Sequence, residues 1–303
     1  MERCRRILGL LLMLSATLGC GRSSSAPNML RVGFVPSEDA QQVIQNAQPI
    51  IEILRRGLDM EVQPFVATDY TGVVEALRAN KLDIAFLTPA SYVLAKNEAR
   101  IRVALKSERR GSPYYYAAII TRSDSGIKKL EDLHGKIFAF GDPLSTSANV
   151  FPRKMLREHG IDPVRDFKQI LYSGGHDATV LAVLNRKVDA GATYANSPDT
   201  RDTAWQRYLK NPADVQRIYP IAFSEPIPAD NIVVNENLDA RVAKKIEEIF
   251  LDMSRDPSGK RMLRDLYQID GFVPAADSDY DSVRQAFKIA GINLKDALQK
   301  KRP

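Results

Sequence analysis

The stretches VVEALRANKLDIAFLTPASY (residues 73–92) and TVLAVLNRKVDAGATYANSP (residues 179–198) resemble each other. Each has an apolar run with helical spacing, a turn, and a short apolar strand that ends in small and polar residues. The offset of 106 residues is about the length of one domain. The pair therefore predicts two similar lobes, although any two helix–strand units share part of this pattern and a chance resemblance stays open.

Strands and helices alternate around the first of these stretches. The predicted strands are residues 29–35, 60–66 and 82–86, and the predicted helices are residues 41–58 and residues from 69 onward. This alternation predicts an α/β fold with largely parallel sheets. Ligands of open α/β sheets bind where the strands end, so we expect a site at those loops.

Two β-rich runs divide the chain. Residues 114–121 and 228–234 are suited to extended strands that cross between the lobes. We therefore predict a first lobe of residues 29–116 plus 229–303 and a second lobe of residues 117–228. Apolar spacing predicts that residues 240–300 are helical.

The pattern of the N-terminal residues predicts that the protein is exported. Residues 1–19 have a short basic head and an apolar run that is too short for a stable membrane span, as in secretory signal peptides. Gly19 followed by Cys20 resembles a lipoprotein cleavage box, although Thr17 stands where an aliphatic residue is usual. We expect Cys20 to be lipidated and residues 20–28 to be a flexible tether, with an ordinary signal peptide as the alternative.

Charge and cysteine content narrow the class of function. Without residues 1–19 the chain has 40 basic and 36 acidic side chains, an excess of +4, and it has no basic run of the kind that binds nucleic acid. Cys4 lies in the signal sequence and Cys20 at the predicted anchor, so we expect neither a disulfide nor a thiolate metal site in the folded part. No second apolar stretch approaches 18 residues, which predicts a soluble body.

Three consecutive hydroxyl residues, Ser145, Thr146 and Ser147, separate a predicted strand at residues 136–140 from a predicted helix at residues 147–159. One hydroxyl is enough to cap a helix. The others, with the free N–H groups of the helix start, would suit a small oxyanion. Capping alone is the alternative, and the pattern and lysine of a P-loop are absent from the sequence.

A second Gly-rich turn, SGGHD at residues 173–177, opens the repeated helix and presents His176. Its ring could donate a hydrogen bond to an anion. A lone histidine does not make a metal site, and the sequence lacks the G-x-S-x-G pattern of a nucleophile elbow.

The whole mature chain resembles the phosphate-, phosphite- and phosphonate-binding proteins of phosphonate-type ABC importers. The segments that carry the resemblance are DYTGVVEALRANKLDIAF, GSPYYYAAIITRSDSGI, DLHGKIFAFGDPLSTSANVFP, GGHDATVLAVLNRKVDAG and IPADNIVV. The resemblance implies a two-lobed, type II-like periplasmic-binding-protein fold with two crossover strands, a cleft between the lobes and closure by a hinge. The ligand residues that it implies are Tyr70, Tyr115 (in uncertain register with Tyr114 and Tyr116), Ser145, Thr146, Ser147, His176 and Asp230.

One position departs from the family pattern. Members specialised for aminoalkylphosphonates have a glutamate 20 residues after the histidine, and this chain has Asn196 there. Because a neutral amide cannot pair with a desolvated ammonium, we expect phosphite, methylphosphonate or phosphate rather than 2-aminoethylphosphonate. Asp230 would repel a full anion, so we expect it to accept a hydrogen bond from a P–OH group and to disfavour sulfate.

The sequence thus predicts a non-catalytic, monomeric solute-binding lipoprotein without a cofactor, in the periplasm or at the cell surface. Its partner would be an ABC permease in the inner membrane. A sensor that passes the signal of ligand binding to a receptor or kinase is an alternative. An enzyme acting on a phosphorylated metabolite is a third, although the hydroxyl cluster offers no metal ligand, lysine or positioned base.

Overall fold

The computed structural model describes residues 29–199 and 202–294. The predicted signal sequence, the tether and Cys20 therefore lie outside the described residues. No helix in these ranges is long and apolar enough to cross a bilayer.

The first sheet begins with three parallel strands. The first elements are β1 (Met29–Phe34), α1 (Ala40–Leu58), β2 (Glu61–Val66), α2 (Tyr70–Arg78), β3 (Ile84–Leu87), α3 (Pro89–Glu98) and β4 (Ile101–Glu108). Strand β1 pairs in parallel with β2 on one side and β3 on the other. Asp39 and Asp69 cap α1 and α2 by accepting hydrogen bonds from backbone N–H groups of the first turns. These elements confirm the predicted strands and helices to within two residues.

The second sheet repeats this arrangement. Its elements are β5 (Tyr114–Arg122), β6 (Ile137–Phe140), α4 (Phe151–Glu158), α5 (Pro163–Asp166), β7 (Gln169–Tyr172), α6 (His176–Leu184), β8 (Ala190–Ala195), α7 (Ala204–Tyr208), α8 (Pro212–Val215) and β9 (Ile218–Phe223). Strand β6 pairs in parallel with β7 and β8, while β5 runs antiparallel to β8 and β9.

After one more short strand of the second sheet, the chain returns to the first sheet. The last elements are β10 (Ile227–Pro228), β11 (Asn231–Asn235), α9 (Ala240–Met253), α10 (Pro257–Tyr267), β12 (Gly271–Pro274) and α11 (Asp281–Ala290). The strand orders are β12-β4-β11-β3-β1-β2 and β10-β5-β8-β6-β7. The chain passes between the sheets at residues 109–113 and 229–230, and we call the parts built on the first and second sheets the first and second lobes.

The two similar stretches, residues 73–92 and 179–198, form equivalent units. The first contains α2 and β3, and the second contains α6 and β8. Strand β3 lies between parallel β1 and antiparallel β11, and β8 lies between parallel β6 and antiparallel β5. Both strands end at the cleft between the lobes.

Two predictions need correction. Both sheets are mixed rather than largely parallel, because strands around each crossing pair antiparallel to the parallel trio. The segment from residue 240 is not helical throughout, since β12 pairs antiparallel with β4 and extends the sheet. Phe272 is buried there against Phe86 and Phe250, so tertiary packing selects a strand between two helices.

Helices cover the sheets, and one apolar cluster continues from lobe to lobe. Val150 and Phe151 of the second lobe share this cluster with Val283 and Phe287 of α11. All four side chains are at most 2% exposed. Burial of each such side chain stabilises the fold by about 1.5–3 kcal/mol, so α11 holds the two lobes together on this side.

Candidate ligand-binding site

A cavity of about 50 Å3 lies between the lobes. Its lining residues are Ser37, Glu38, Thr88, Arg109, Tyr115, Ser145, Ser147, His176, Tyr194, Asn196, Arg207, Tyr208 and Asp230. One water needs about 10–15 Å3 on this measure, so the space suits about three to five atoms of that size. A small oxyanion fits these dimensions, and a nucleotide does not.

The three hydroxyl residues lie in the turn between β6 and α4. Ser145 Oγ accepts a hydrogen bond from the Ala148 backbone N–H at 3.2 Å, so Ser145 is the helix cap. Residues Thr146–Val150 form one turn of π-helix before α4 begins. The sequence-based prediction of a helix start here is confirmed, and the wider turn is a feature that the sequence did not indicate.

The other two hydroxyls have different surroundings. Thr146 Oγ1 accepts a hydrogen bond at 2.9 Å from the backbone N–H of Ala90, which belongs to α3 of the first lobe. Ser147 is 2% exposed and lines the cavity. The Tyr115 hydroxyl lies beside both of these side chains, and burial, with the nearby Asp230 charge, raises the pKa of its hydroxyl well above the usual range. Tyr115 is therefore a neutral hydrogen-bond donor.

His176 is the first residue of α6. Its backbone N–H donates to the Ser37 carbonyl of the first lobe at 3.0 Å, and its Nδ1 lies 3.0 Å from Thr193 Oγ1. Burial, with the nearby Arg207 charge, lowers the pKa of the ring to about 4. The imidazole is therefore neutral near pH 7, and when Thr193 donates to Nδ1 the ring proton is on Nε2.

Asn196 follows β8 and is 6% exposed. Neither atom of its side-chain amide has a hydrogen-bond partner within the described protein. A buried amide without partners is costly, and this amide lines the cavity. It is therefore placed to bind a ligand that offers both a donor and an acceptor.

Asp230 lies in the second crossing and is paired with an arginine that the sequence did not indicate. Arg109 Nη2 donates to Asp230 Oδ2 at 2.9 Å, and Arg109 Nη1 donates to Ser107 Oγ at 3.0 Å. Burial raises the pKa of Asp230, and the Arg109 charge opposes that rise. The Asp230 side chain is 34% exposed and lines the cavity.

A second acid–arginine pair joins the lobes across the cavity. Arg207 of α7 donates to Glu38 of the first lobe at 3.2 Å, and the two side chains are 16% and 6% exposed. Tyr194 and Tyr208 lie beside them, and burial raises the pKa of Tyr194 to about 12. With His176 neutral, two guanidinium groups face two carboxylates, so the charges of these lining side chains balance.

Tyr70 and Thr146 are the two predicted ligand residues that do not line this cavity. Tyr70 begins α2 and is 1% exposed. Its backbone N–H lies 3.3 Å from Asp142 Oδ2 in the turn before the hydroxyl residues. Tyr114 is 44% exposed, Tyr116 is half-buried, and Tyr115 alone of the three lines the cavity.

Within residues 29–199 and 202–294, no cluster of three or more His, Cys, Asp or Glu is placed to hold a metal ion. The cavity instead combines neutral donors at two helix starts with two acid–arginine pairs. The N–H groups and dipoles of helix starts favour negative charge, so this arrangement suits a small anion.

The description of one family model reads "ABC transporter, phosphonate, periplasmic substrate-binding protein", and that model matches residues 32–280. The chain belongs to this family. Membership places this binding protein in the periplasm and confirms the family and the two-lobed fold that the sequence predicted.

Individual members agree with this assignment. This binding protein is 30% identical over 276 residues to the phosphonates-binding periplasmic protein of Escherichia coli K12, covering 89% of this chain and 78% of that one. It is 27% identical over 308 residues to the phosphate-import protein PhnD of Mycolicibacterium smegmatis, covering 92% and 93%. The solved binding protein component of an ABC phosphonate transporter from Pseudomonas aeruginosa is similar with a TM-score of 0.78 and 26% identity, covering 87% and 86%.

About half of the residues that line the cavity were not predicted from the sequence. Arg109, Glu38 and Arg207 come from two lobes and are brought together only by the fold. Arg109 is the first residue of the first crossing, and that position next to a predicted hinge is the one signal that could have identified it.

Proposed function

We propose that this binding protein captures a small phosphorus oxyanion between its lobes and delivers it to an ABC permease. The ligand candidates are phosphite, methylphosphonate and phosphate. The observation that carries the proposal is the pair of helix starts, at Ser145 and His176, that face one cavity with hydroxyl and imidazole groups. Tyr115, Ser145, Ser147, His176, Asn196 and Asp230 would form the ligand shell, with Thr146 and Tyr70 supporting it.

Asp230 would select a protonated oxyanion. Its Oδ2 accepts from Arg109, and a ligand P–OH would donate to Oδ1. We expect Asp230→Asn to weaken the binding of phosphate or phosphonate and to tighten that of sulfate, because the lost carboxylate also leaves Arg109 unpaired. Calorimetry with both anions measures this, and unchanged selectivity would contradict the role.

An ammonium group would have to compete with arginine for each carboxylate that lines this cavity. Glu38 and Asp230 are both paired with arginine, and position 196 is an amide. The positive charge of a ligand ammonium would therefore meet carboxylates that Arg207 and Arg109 already neutralise. We therefore expect 2-aminoethylphosphonate to bind more weakly than methylphosphonate.

Several further parts of the proposal concern the whole protein. We propose that it is a monomer without catalytic activity, anchored through a lipid on Cys20 and a tether of residues 20–28. The clamp would consist of residues 29–116 plus 229–303 and residues 117–228, and ligand binding would close it. Mass spectrometry of the membrane-extracted protein tests the anchor, since Cys20→Ser would abolish the acylated species.

Calorimetry and thermal unfolding test the ligand class. The panel contains phosphite, methylphosphonate, phosphate, 2-aminoethylphosphonate and sulfate. A ligand at 100 times its Kd should stabilise the protein by about 2.7 kcal/mol. Absence of binding by every phosphorus compound would contradict the proposal, and turnover of phosphate esters would favour an enzyme.

A further inference from the structure

A larger cavity lies apart from the anion cavity, beside α4 of the second lobe and the end of α11 of the first. Its volume is about 430 Å3, against about 50 Å3 for the anion cavity, and the two share no lining residue. Cavities that hold small organic molecules commonly have volumes of about 300–1,000 Å3. We call this cavity the α4 pocket, and its wall includes Arg153, Val164 and Tyr172 of the second lobe and Ile292 of the first.

Arg153 is a buried cation without a carboxylate partner. It is 8% exposed and lies in the first turn of α4, where the helix dipole disfavours positive charge. Its Nε donates to Asn149 Oδ1 and its Nη2 donates to the Tyr172 hydroxyl, both at 2.9 Å. Its guanidinium lies 4.2 Å from the centre of the Phe140 ring. These partners are all neutral, and within the described residues no hydrogen bond or ion pair occupies Nη1.

Arg157, one turn further along α4, has the compensation that Arg153 lacks. Its Nη2 lies 3.6 Å from Asp162 Oδ2, and its guanidinium lies against Gly291, which ends α11. A helix C-terminus favours positive charge. Buried charges in proteins are normally paired, so Arg153 is the cation of this pocket that is suited to an anion from outside the chain.

Apolar side chains form the outer part of the wall. Val164 is 76% exposed and Tyr172 is 52% exposed, so the α4 pocket opens to solvent beside them. Pro143 and Ile292 add apolar surface. The pocket therefore combines one buried guanidinium with a surface that an apolar group could cover.

Two carboxylates limit the charge that a ligand can carry. Asp69 and Asp142 line the α4 pocket. Asp69 accepts from the Gly72 N–H, Asp142 accepts from the Leu144 and Tyr70 N–H groups, and burial raises the pKa of Asp142. One anionic group can pair with the guanidinium, whereas a second would be repelled by these carboxylates.

We infer that the α4 pocket binds an organic monocarboxylate, whose anionic group pairs with Arg153 and whose apolar body covers Val164 and Tyr172. The planar guanidinium matches the geometry of a carboxylate. The Tyr172 hydroxyl accepts from Arg153, so its own proton is available to the same carboxylate. This site is separate from the cleft and goes beyond the proposed function.

Calorimetry with matched small molecules tests the inference. Phenylacetate and hexanoate are the probes. Acetate lacks the apolar body, succinate adds a second carboxylate, and phenylacetamide removes the charge. We expect both probes to bind, and to bind more tightly than these three compounds. Arg153→Gln should lower the affinity for both probes about 10- to 100-fold, because a hydrogen bond to a charged group is lost.

Two further variants locate the bound probe. Val164→Asp places a carboxylate beside the apolar body and should weaken the binding of both probes. Because Val164 is 76% exposed, this variant should fold even if Arg153→Gln does not. Arg186→Gln is the control, since Arg186 is an exposed arginine of the same lobe that pairs with Asp124 and does not line the pocket. It should bind the probes as the wild type does.

The outcomes are separate from those that test the cleft. Absence of binding by both probes overturns the inference. Binding that survives either Arg153→Gln or Val164→Asp, or that phenylacetamide equals, also overturns it. The proposed function is tested by the phosphorus compounds alone, so either conclusion can fail while the other stands.

Discussion

Ser145, Thr146 and Ser147 are consecutive in sequence, yet their hydroxyls have three different environments. Ser145 bonds to its own helix start, Thr146 bonds to the first lobe, and Ser147 lines the cavity. Removal of each hydroxyl should therefore change a different property. Ser145→Ala should cost about 1 kcal/mol of stability, as the loss of a helix cap does.

Ser147→Ala should lower ligand affinity about 10- to 100-fold, because a hydrogen bond to a charged group is worth about 1.5–3 kcal/mol. The free energy of unfolding without ligand should stay nearly unchanged. Calorimetry and urea unfolding measure the two effects. Ser123→Ala, an exposed serine of the same lobe, is the control, and equal affinity in both variants would show that Ser147 does not touch the ligand.

His176 gives the protein a specific pH dependence. Its pKa falls from 6.5 in the unfolded chain to about 4 in the fold, because burial disfavours the charged ring. As the pH falls, the ring is protonated in the unfolded chain before it is protonated in the fold. The contribution of the neutral ring to the free energy of unfolding is therefore complete above pH 6.5 and is lost as the pH falls toward 4. Between pH 7 and 4.5 the loss is about 2–3 kcal/mol.

The matched measurement uses His176→Gln, which cannot titrate. Urea unfolding at pH 7 and 4.5 should show the wild type losing about 2–3 kcal/mol more than this variant over that range. Because other carboxylates and histidines titrate in both proteins, their contributions cancel. Parallel pH dependence would mean that the ring at position 176 is not held neutral by burial.

At the scale of elements, the turn between β6 and α4 depends on a close approach. A Cβ at Gly141 would lie 2.7 Å from Ala148 Cβ, and the Gly141 N–H donates to the Ala148 carbonyl at 2.9 Å. This contact fixes the turn against the π-helical start and so positions the three hydroxyls. A π-turn widens the helix at a predicted binding site, as such turns frequently do.

Gly141→Ala should push this turn away from the helix. We expect a loss of about 1–3 kcal/mol of stability from overpacking, together with weaker ligand binding. Gly160→Ala at the other end of α4 is the control, since its φ of 75° makes it cost stability without touching the cavity. If both variants lose stability and neither loses affinity, the geometry of the turn does not control binding.

The elements differ in how far the sequence could predict them. Apolar spacing and capping residues predict β1, α1 and β3, because these elements depend on residues that are close together in sequence. Strand β12 escaped prediction because its state depends on pairing with β4, which is over 160 residues away in sequence. The residues of the cavity differ in the same way. Ser147 and His176 lie at helix starts that the local sequence predicts, whereas Arg109 pairs with a residue 121 positions away.

At the scale of the whole molecule, polar contacts join the lobes around the cavity. Thr146 accepts from Ala90, the His176 N–H donates to Ser37, and Arg207 pairs with Glu38. Cleft opening would expose these groups to water, which can replace their partners. The contacts therefore stabilise the closed form relative to the open form rather than either lobe by itself.

Thr146→Val separates closure from folding. The valine keeps the shape of threonine but leaves the Ala90 N–H without an acceptor in the closed form, a cost of about 1–3 kcal/mol that the open form avoids. We expect about tenfold weaker binding. In small-angle scattering, the variant should need about ten times more ligand than the wild type before its radius of gyration falls to that of the closed form.

Thr121→Val is the matched control for this closure argument. Thr121 is buried in the second lobe, and its hydroxyl donates to the Asp189 carbonyl of the same lobe at 2.7 Å. The control should lose stability and keep its affinity, because its contact is the same in the open and closed forms. If Thr146→Val instead behaves like the control, the Thr146 contact does not distinguish the two forms, and closure must depend on the Glu38–Arg207 pair and the His176 backbone contact.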